Sequence, residues 1–137
     1  MNVVIIEDEE YAARRLERMI QEIDSEIQIV AKLESVSDSI KWLTTNDTPD
    51  LIFMDIHLED NSSFAIFESV SIACPIVFTS ATDEKSTKTF KQMGIDYLLK
   101  PIIQTELIKM IGKYKNIPIG EFVLSYSSTF SEFLKRR

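Results

Sequence analysis

Short apolar runs alternate along the chain with stretches in which apolar residues recur every three or four positions. The runs are rich in β-branched and aliphatic residues and predict strands over residues 2–6, 27–33, 51–55, 75–80 and 95–99. The spacing of three and four is that of one face of a helix. It predicts helices over residues 11–23, from 36 to an end near 46–49, and over 63–70, 83–93 and 103–114. Strand and helix are therefore expected to alternate.

The predicted strands are apolar at consecutive positions rather than at every second one. This pattern is typical of parallel strands that helices cover on both faces. We therefore expect an α/β domain with a doubly wound, five-stranded parallel sheet in the order 2-1-3-4-5, whose ligand site lies at the carboxyl ends of the strands. Asp83 is expected to cap the fourth helix and Gly94 to end it.

The alternation breaks near residue 116, where proline, glycine and serine become frequent. Thr129 and Glu132 have the spacing of a capping box, which predicts a brief final helix. We expect one domain over residues 1–116 and a linker or tail over 117–137.

Composition narrows the class of protein. A chain of 137 residues, 45% hydrophobic and 27% charged, is typical of a single globular domain. Its net charge of -7 disfavours binding to nucleic acid phosphates. One cysteine excludes a disulfide within the chain, and there is neither a run of about 20 apolar residues nor a basic start typical of a secretory signal. We expect a cytoplasmic location without membrane contact.

Polar side chains stand where most of the predicted strands end. They are Glu7 and Asp8 after the first strand, Asp55 at the end of the third, Ser80 at the end of the fourth, and Lys100 after the fifth. In the expected sheet these side chains converge on one crevice. Carboxylates packed together repel unless a cation is present, and oxygen ligands suit Mg²⁺. The crevice therefore predicts a magnesium site.

The same residues suit phosphoryl transfer onto a carboxylate. Asp55 can attack phosphorus in line, while Mg²⁺ and Lys100 neutralise charge on the phosphoryl oxygens. Ser80 adds a hydroxyl donor. An acyl phosphate on Asp55 would result, and the carboxylate needs no general base.

The motifs that carry these residues resemble the receiver domain of two-component response regulators, a flavodoxin-like fold. The similar segments are VVIIEDEEYAARRLERMI, LIFMDIHLED, IVFTSA and GIDYLLKPI. The resemblance covers about 85% of the chain, up to roughly Asn116. It implies a signalling domain rather than an enzyme, with only self-catalysed phosphoryl transfer and slow autodephosphorylation. It also implies a sensor histidine kinase as the phosphoryl donor to Asp55.

The resemblance also implies roles for the residues around Asp55. Mg²⁺ would be bound by Asp8, Asp55 and the backbone carbonyl of His57, and by Glu7 through water. Lys100 would contact the phosphoryl group.

Further roles follow from the same resemblance. Ser80 and Tyr97 would act as switch residues that move toward the phosphoryl group. The side chains of His57 and Thr82 would modulate the access of water. Pro101 would follow a cis peptide bond.

The segments DIHLED, FTSATDE and DYLLKP are most similar to the subgroup with a LytTR (LytR/AlgR) DNA-binding output. Transcription would then be controlled through an effector domain outside this chain, to which residues 117–137 would lead, and DNA would be bound only there. Lys85, Lys88 and Lys91 mark either a solvated face of the fourth helix or a partner surface. In receivers that surface, formed by the fourth helix, fifth strand and fifth helix, often mediates homodimers.

Three other interpretations fit part of the sequence. A phosphatase of the haloacid dehalogenase type would need its nucleophile at the end of the first strand and a second aspartate two residues on, whereas Asp55 ends the third strand and precedes Ile56 and His57. An interaction module that keeps the fold without phosphorylation usually loses the acceptor or the lysine, and both are present. Asp55 could also simply cap the following loop.

Overall fold

The computed structural model describes residues 1–81 and 84–115. Its strands are β1 (Asn2–Ile6), β2 (Gln28–Leu33), β3 (Leu51–Asp55), β4 (Ile76–Ser80) and β5 (Tyr97–Leu99). Its helices are α1 (Glu10–Ile23), α2 (Val36–Thr45), α3 (Ile66–Ser69), α4 (Glu84–Gln92) and α5 (Gln104–Lys115). Three predictions fall outside the described residues: the helix cap at Asp83, the role of Thr82 and the final helix.

The strands form one parallel sheet in the order β2-β1-β3-β4-β5, which confirms the predicted fold. In this order β1 and β3 are neighbours, so the residues that follow them emerge side by side. Asp55 at the end of β3 is in register with Thr79 of β4. The carboxyl ends of β1, β3 and β4 therefore share one edge of the sheet.

Alternate residues of each central strand point to opposite sides of the sheet. Both faces are therefore apolar, and helices cover both. Val4 and Ile6 of β1 belong to one buried cluster, which includes Phe64 and Phe90. Val3 and Ile5 belong to a second cluster, which contains the buried residues of α1 and α5. The two clusters explain why the central strands need no polar face.

The edge strand β2 departs from the expected uniform burial. Its residues alternate between exposed and partly buried, and Val30 is 41% exposed. An edge strand has a neighbour on one side only, so it is covered less completely than β3 or β4. The expectation of apolar strands buried on both faces holds for the central strands but was wrong for β2.

Most predicted boundaries are within one residue of those observed, and the third helix, β4 and β5 show where the chain departs from its pattern. The third helix begins with a 3-10 turn over Ser63–Ala65, and the α-helix itself is a single turn that ends at Ser69 because Val70 is extended. β4 begins after Pro75, which lacks an N–H to donate to a ladder. β5 begins at Tyr97 rather than residue 95, because Ile95 N bonds to the Phe90 carbonyl in the turn that ends α4.

Several local expectations are confirmed. Gly94 has a φ of 72°, the left-handed conformation that ends a helix. The Lys100–Pro101 peptide bond is cis. A separate observation concerns Cys74, which is buried in the core at 3% exposure, and burial raises the pKa of its thiol to about 12. Within the described residues, no helix has the length and apolar character needed to cross a bilayer.

Candidate functional site

Three carboxylates meet at the carboxyl edge of the sheet. Glu7 and Asp8 follow β1, and Asp55 is the last residue of β3. One oxygen atom from each of the three lies within 4.8 Å of the others. Glu7 is 6% exposed and Asp55 is 7% exposed, while Asp8 is partly buried. The predicted convergence of these acids is therefore confirmed.

Lys100 lies between two of the acids. Its Nζ donates to Asp55 Oδ2 at 2.8 Å and also to Glu7 Oε1. Its backbone N donates to the Ser80 carbonyl at 2.8 Å, which fixes the residue beside the end of β4. A single ammonium thus faces two buried carboxylates, with Asp8 close by.

One lysine does not compensate fully for burying two acids. Burial raises the pKa of Glu7 to about 7, and Asp55 adds to the increase, while the bond from Lys100 opposes it. Burial lowers the pKa of Lys100, but its bonds to Asp55 and Glu7 outweigh this effect and raise its pKa. The site holds its lysine charged and retains an excess of negative charge once Glu7 ionises.

The loop after β3 supplies the second contact of Asp55. His57 N donates to Asp55 Oδ1 at 3.1 Å, so both carboxylate oxygens of Asp55 have a donor. His57 and Ser62 form an antiparallel bridge that closes the loop. The His57 side chain itself is exposed at the edge of the site. Its suggested influence on water access stays a prediction.

The remaining predicted residues lie on β4, β5 and the connections that follow them. Ser80 is 1% exposed, and among the described residues its hydroxyl has no hydrogen-bond partner. Tyr97 is partly buried, with its ring centroid 6.4 Å from that of Phe90. Pro101 is exposed beside Lys100. Thr82 lies outside the described residues, so its suggested role also stays a prediction.

Sequence reasoning missed one residue close to this site. Asp60 Oδ1 accepts a hydrogen bond from Val36 N at 2.9 Å, and its Oδ2 accepts one from Ser37 N at 3.3 Å. The bond from Val36 is the main cause that lowers the pKa of Asp60. The only sequence signal is an aspartate in a loop, because its partners precede it by more than twenty residues.

The donor set fits a magnesium ion. Mg²⁺ prefers oxygen ligands and is usually bound by one or two carboxylates together with water and a phosphate. Glu7, Asp8 and Asp55 offer such oxygens within one small space. Burial is the main cause of the raised pKa of Glu7 and the nearby carboxylate of Asp55 adds to it, so positive charge at this position would be favourable.

The chain is similar to a known protein family over most of its length. The family model for the response regulator receiver domain matches residues 3–112. The chain belongs to the response regulator receiver family. Receiver domains are signalling domains of two-component systems, and this membership removes the haloacid dehalogenase alternative.

Curated relatives are sensory transduction regulators. The chain is 32% identical over 116 residues to the sensory transduction protein LytT of Enterococcus faecalis, covering 82% of this chain and 47% of the relative. It is 32% identical over 121 residues to the sensory transduction protein LytR of Streptococcus mutans, covering 85% of this chain and 49% of the relative. The predicted likeness to LytT and LytR regulators is confirmed, and this receiver spans about half their length.

Solved receiver structures agree with the fold. The response regulatory domain of protein mrkE from Klebsiella pneumoniae matches with a TM-score of 0.70 and 29% identity, covering 84% of this chain and 95% of that chain. The non-phosphorylated HemR receiver domain from Leptospira biflexa matches with a TM-score of 0.68 at 16% identity, covering 88% of this chain and 98% of that chain. At that identity the second match supports the fold alone.

Proposed function

We propose that this receiver accepts a phosphoryl group on Asp55 from a phosphohistidine of a sensor histidine kinase, in a reaction that requires Mg²⁺. The observation that carries the proposal is the placement of Asp55. It lies within 4.8 Å of two further carboxylates and accepts a 2.8 Å hydrogen bond from Lys100. An aspartate that only capped a loop would not need this surrounding charge.

The transfer exchanges one bond to phosphorus for another. A carboxylate oxygen of Asp55 forms a bond to phosphorus as the P–N bond to the donor imidazole breaks. The imidazole leaves with the electron pair of that bond and takes up a proton. Lys100 moves no proton in this step, and its raised pKa keeps it charged beside the phosphoryl oxygens.

Asp8, Asp55 and the His57 carbonyl would hold the metal, with Glu7 bound through water. When bound, Mg²⁺ supplies the positive charge that stabilises the phosphoryl oxygens during transfer. Glu7 would hold its water from a buried position next to Lys100. His57 N would continue to orient Asp55 through its bond to Oδ1.

The switch would run from Ser80 to the surface formed by α4, β5 and α5. The buried Ser80 hydroxyl has no partner among the described residues and is therefore available to donate to a phosphoryl oxygen. Tyr97 contributes both to the buried cluster around Phe90 and to a groove of about 540 Å³ on that surface. A movement of Tyr97 toward the phosphoryl site would change the groove directly.

The groove has the charge pattern of a partner surface. Its lining includes Lys91, Lys109 and Lys113 together with Asp96 and Glu106. Charges of both signs allow two copies to pair with complementary contacts. We propose that this surface mediates a homodimer after phosphorylation.

Output would pass to a DNA-binding effector domain of the LytTR type. The support is that this chain matches only about half the length of LytT and LytR regulators. Transcription would then be the controlled process, with DNA bound by that other domain and not by residues of this one.

The proposal is tested by incubating the chain with acetyl phosphate and Mg²⁺ and measuring its intact mass. The wild type should gain the mass of one phosphoryl group, stable in acid and labile in base. Asp55→Asn should gain none, since the amide cannot form the acyl phosphate. Asp47→Asn is the matched control, because Asp47 is an exposed aspartate before β3, at the opposite end of the strand, and this variant should be phosphorylated like the wild type.

A wild type that folds and binds Mg²⁺ but never gains the phosphoryl group would contradict the proposal and favour a phosphorylation-independent interaction module. The proposed homodimer has its own test, since a crystal structure with Mg²⁺ and beryllofluoride, which mimics the phosphoryl group, would show whether α4, β5 and α5 form the interface.

A further inference from the structure

The loop that follows β3 is attached to the first turn of α2 by the carboxylate of Asp60. Asp60 accepts from Val36 N at 2.9 Å and from Ser37 N at 3.3 Å. The side chain of Ser35 accepts from Asp38 N at 3.0 Å. The first N–H groups of a helix have no partner within it. Asp60 and Ser35 together satisfy three of them, two from another part of the chain and one locally.

The segment that Asp60 binds is itself attached to the acidic site. Glu7 N donates to the carbonyl of Leu33, the last residue of β2, at 2.9 Å. Only two residues separate Leu33 from Val36, where α2 begins. The segment from Leu33 to Ser37 therefore bonds to the backbone N of Glu7 at its start and to the side chain of Asp60 at its end.

Hydrogen bonds within the loop that contains Asp60 connect its tip to its two ends. Fixing the tip therefore also restricts the residues beside the acidic site. Leu58 N donates to the Asn61 carbonyl at 3.1 Å, and Ser63 N donates to the Ile56 carbonyl at 2.9 Å. His57 stands at the start of this closed loop, three residues from Asp60, and donates its N–H to Asp55. The position of the tip thus helps to set the orientation of the His57 peptide groups.

We propose that Asp60 is a positioning residue of the Mg²⁺ site. By binding the first turn of α2, it fixes the loop that presents the His57 carbonyl to the metal and the His57 N–H to Asp55. The inference rests on the proposed function, in which the His57 carbonyl is a ligand of Mg²⁺. Leu58, buried at 7% exposure, anchors the same loop in the core, so Asp60 adjusts the loop's orientation and is not needed for its formation.

The test measures Mg²⁺ affinity by isothermal titration calorimetry. Asp60→Ala removes both acceptors and should raise the Kd for Mg²⁺ about tenfold, the low end of the range for groups that orient metal ligands. Asp60→Asn keeps one oxygen acceptor and should raise the Kd less. Without metal, amide hydrogen exchange over residues 56–62 should be faster in Asp60→Ala than in the wild type.

Two matched controls separate positioning from charge and from helix stability. Glu59→Gln removes one negative charge from the exposed neighbour of Asp60, as Asp60→Asn does, and should leave the Mg²⁺ affinity unchanged. Ser35→Ala removes the local cap of the same helix and should lower the thermal unfolding midpoint about as much as Asp60→Ala, without weakening Mg²⁺ binding.

The possible results lead to different conclusions. If Asp60→Ala binds Mg²⁺ like the wild type, or if Ser35→Ala weakens binding equally, Asp60 acts only on α2 and the inference is wrong. If the wild type itself binds no Mg²⁺, the metal site of the proposed function fails, and the exchange rates over residues 56–62 still show whether Asp60 holds the loop.

Discussion

Two lysine–carboxylate pairs of this receiver lie in opposite surroundings. Lys115, at the end of α5, bonds to Asp24 after α1 at 2.5 Å, and its side chain is 52% exposed. Lys100 bonds to Glu7 and Asp55, whose side chains are 6% and 10% exposed. At the surface, the bond from Lys115 lowers the pKa of Asp24. In the site, burial raises the pKa of Glu7 despite Lys100. A lysine thus favours the ionised form of its carboxylate partner at the surface, whereas in the buried site one lysine does not offset the effect of burial on Glu7.

The difference shows what distinguishes a structural ion pair from a functional one. The pair of Lys115 and Asp24 has its charges balanced and needs nothing more. The site has three acids close together with one lysine bonded to two of them, and burial makes the imbalance costly. A divalent cation or a phosphoryl group with its metal would correct that imbalance.

The largest expected effect comes from removing the buried lysine. Lys100→Met leaves Glu7 and Asp55 without their donor, and should lower the free energy of unfolding by about 3–5 kcal/mol at pH 8 without metal. Urea denaturation in EDTA measures this loss. Mg²⁺ should reduce it, because the ion supplies positive charge at the same acids.

Lys115→Met is the matched control, and it should change the unfolding free energy too little to measure, as exposed pairs usually do. Equal losses in Lys100→Met and Lys115→Met would show that burial does not separate the two pairs.

A smaller effect, of opposite sign in the two pairs, is expected from the pH dependence of stability. Glu7 has a pKa of about 7 in the folded chain against an ordinary value of 4.5, so the folded state keeps a proton that the unfolded state has released. Stability without metal should therefore fall as pH rises from 4.5 to 7. Glu7→Gln should remove this fall, so the free energy of unfolding of the variant relative to the wild type should be about 3 kcal/mol higher at pH 8 than at pH 4.5.

Asp24 provides the opposite case. Its pKa is lowered from 3.8, so its contribution is present at neutral pH and is lost as pH falls below that value. Asp24→Asn should remove only this small loss of stability below pH 3.8. Urea denaturation at a series of pH values checks both variants, and a wild-type stability that rises between pH 4.5 and 7 where Glu7→Gln does not would contradict the prediction for Glu7.

The smallest effect concerns buried hydroxyls. Ser80 Oγ has no partner among the described residues, so Ser80→Ala should leave the free energy of unfolding unchanged or raise it by up to about 1 kcal/mol. Ser39 is equally buried, but its Oγ donates to the Ser35 carbonyl at 2.7 Å. Ser39→Ala should therefore cost about 0.5–1 kcal/mol. Equal losses in the two variants would mean that Ser80 already has a structural partner.

Much of this fold follows from local signals. The apolar runs predicted all five strands, and the central ones gave the clearest signal because a strand buried on both faces is apolar at every position. Gly94 predicted the end of α4 because few other residues adopt its φ of 72°. The convergence of Glu7, Asp8, Asp55 and Lys100 followed from topology, since parallel strands deliver their carboxyl ends to one edge.

Other features depend on contacts that no local pattern records. The half-exposed face of β2 results from its place at the edge of the sheet. The single turn of α3 was not visible in the spacing of its apolar residues. The contact of Asp60 with α2 joins two segments more than twenty residues apart. The raised pKa of Glu7 depends on how deeply the fold buries it, although crowding of acids was itself foreseen.

The buried cysteine has a practical consequence for experiments on this receiver. The thiolate is the form that reacts with maleimides, and a thiol with a pKa of about 12 yields almost none at neutral pH. Since Cys74 is the single cysteine of the chain, a second one introduced at an exposed position such as Glu59 would carry a fluorophore at one defined place. Dye emission could then report movements of the loop after β3 in real time, with the native thiol left in place.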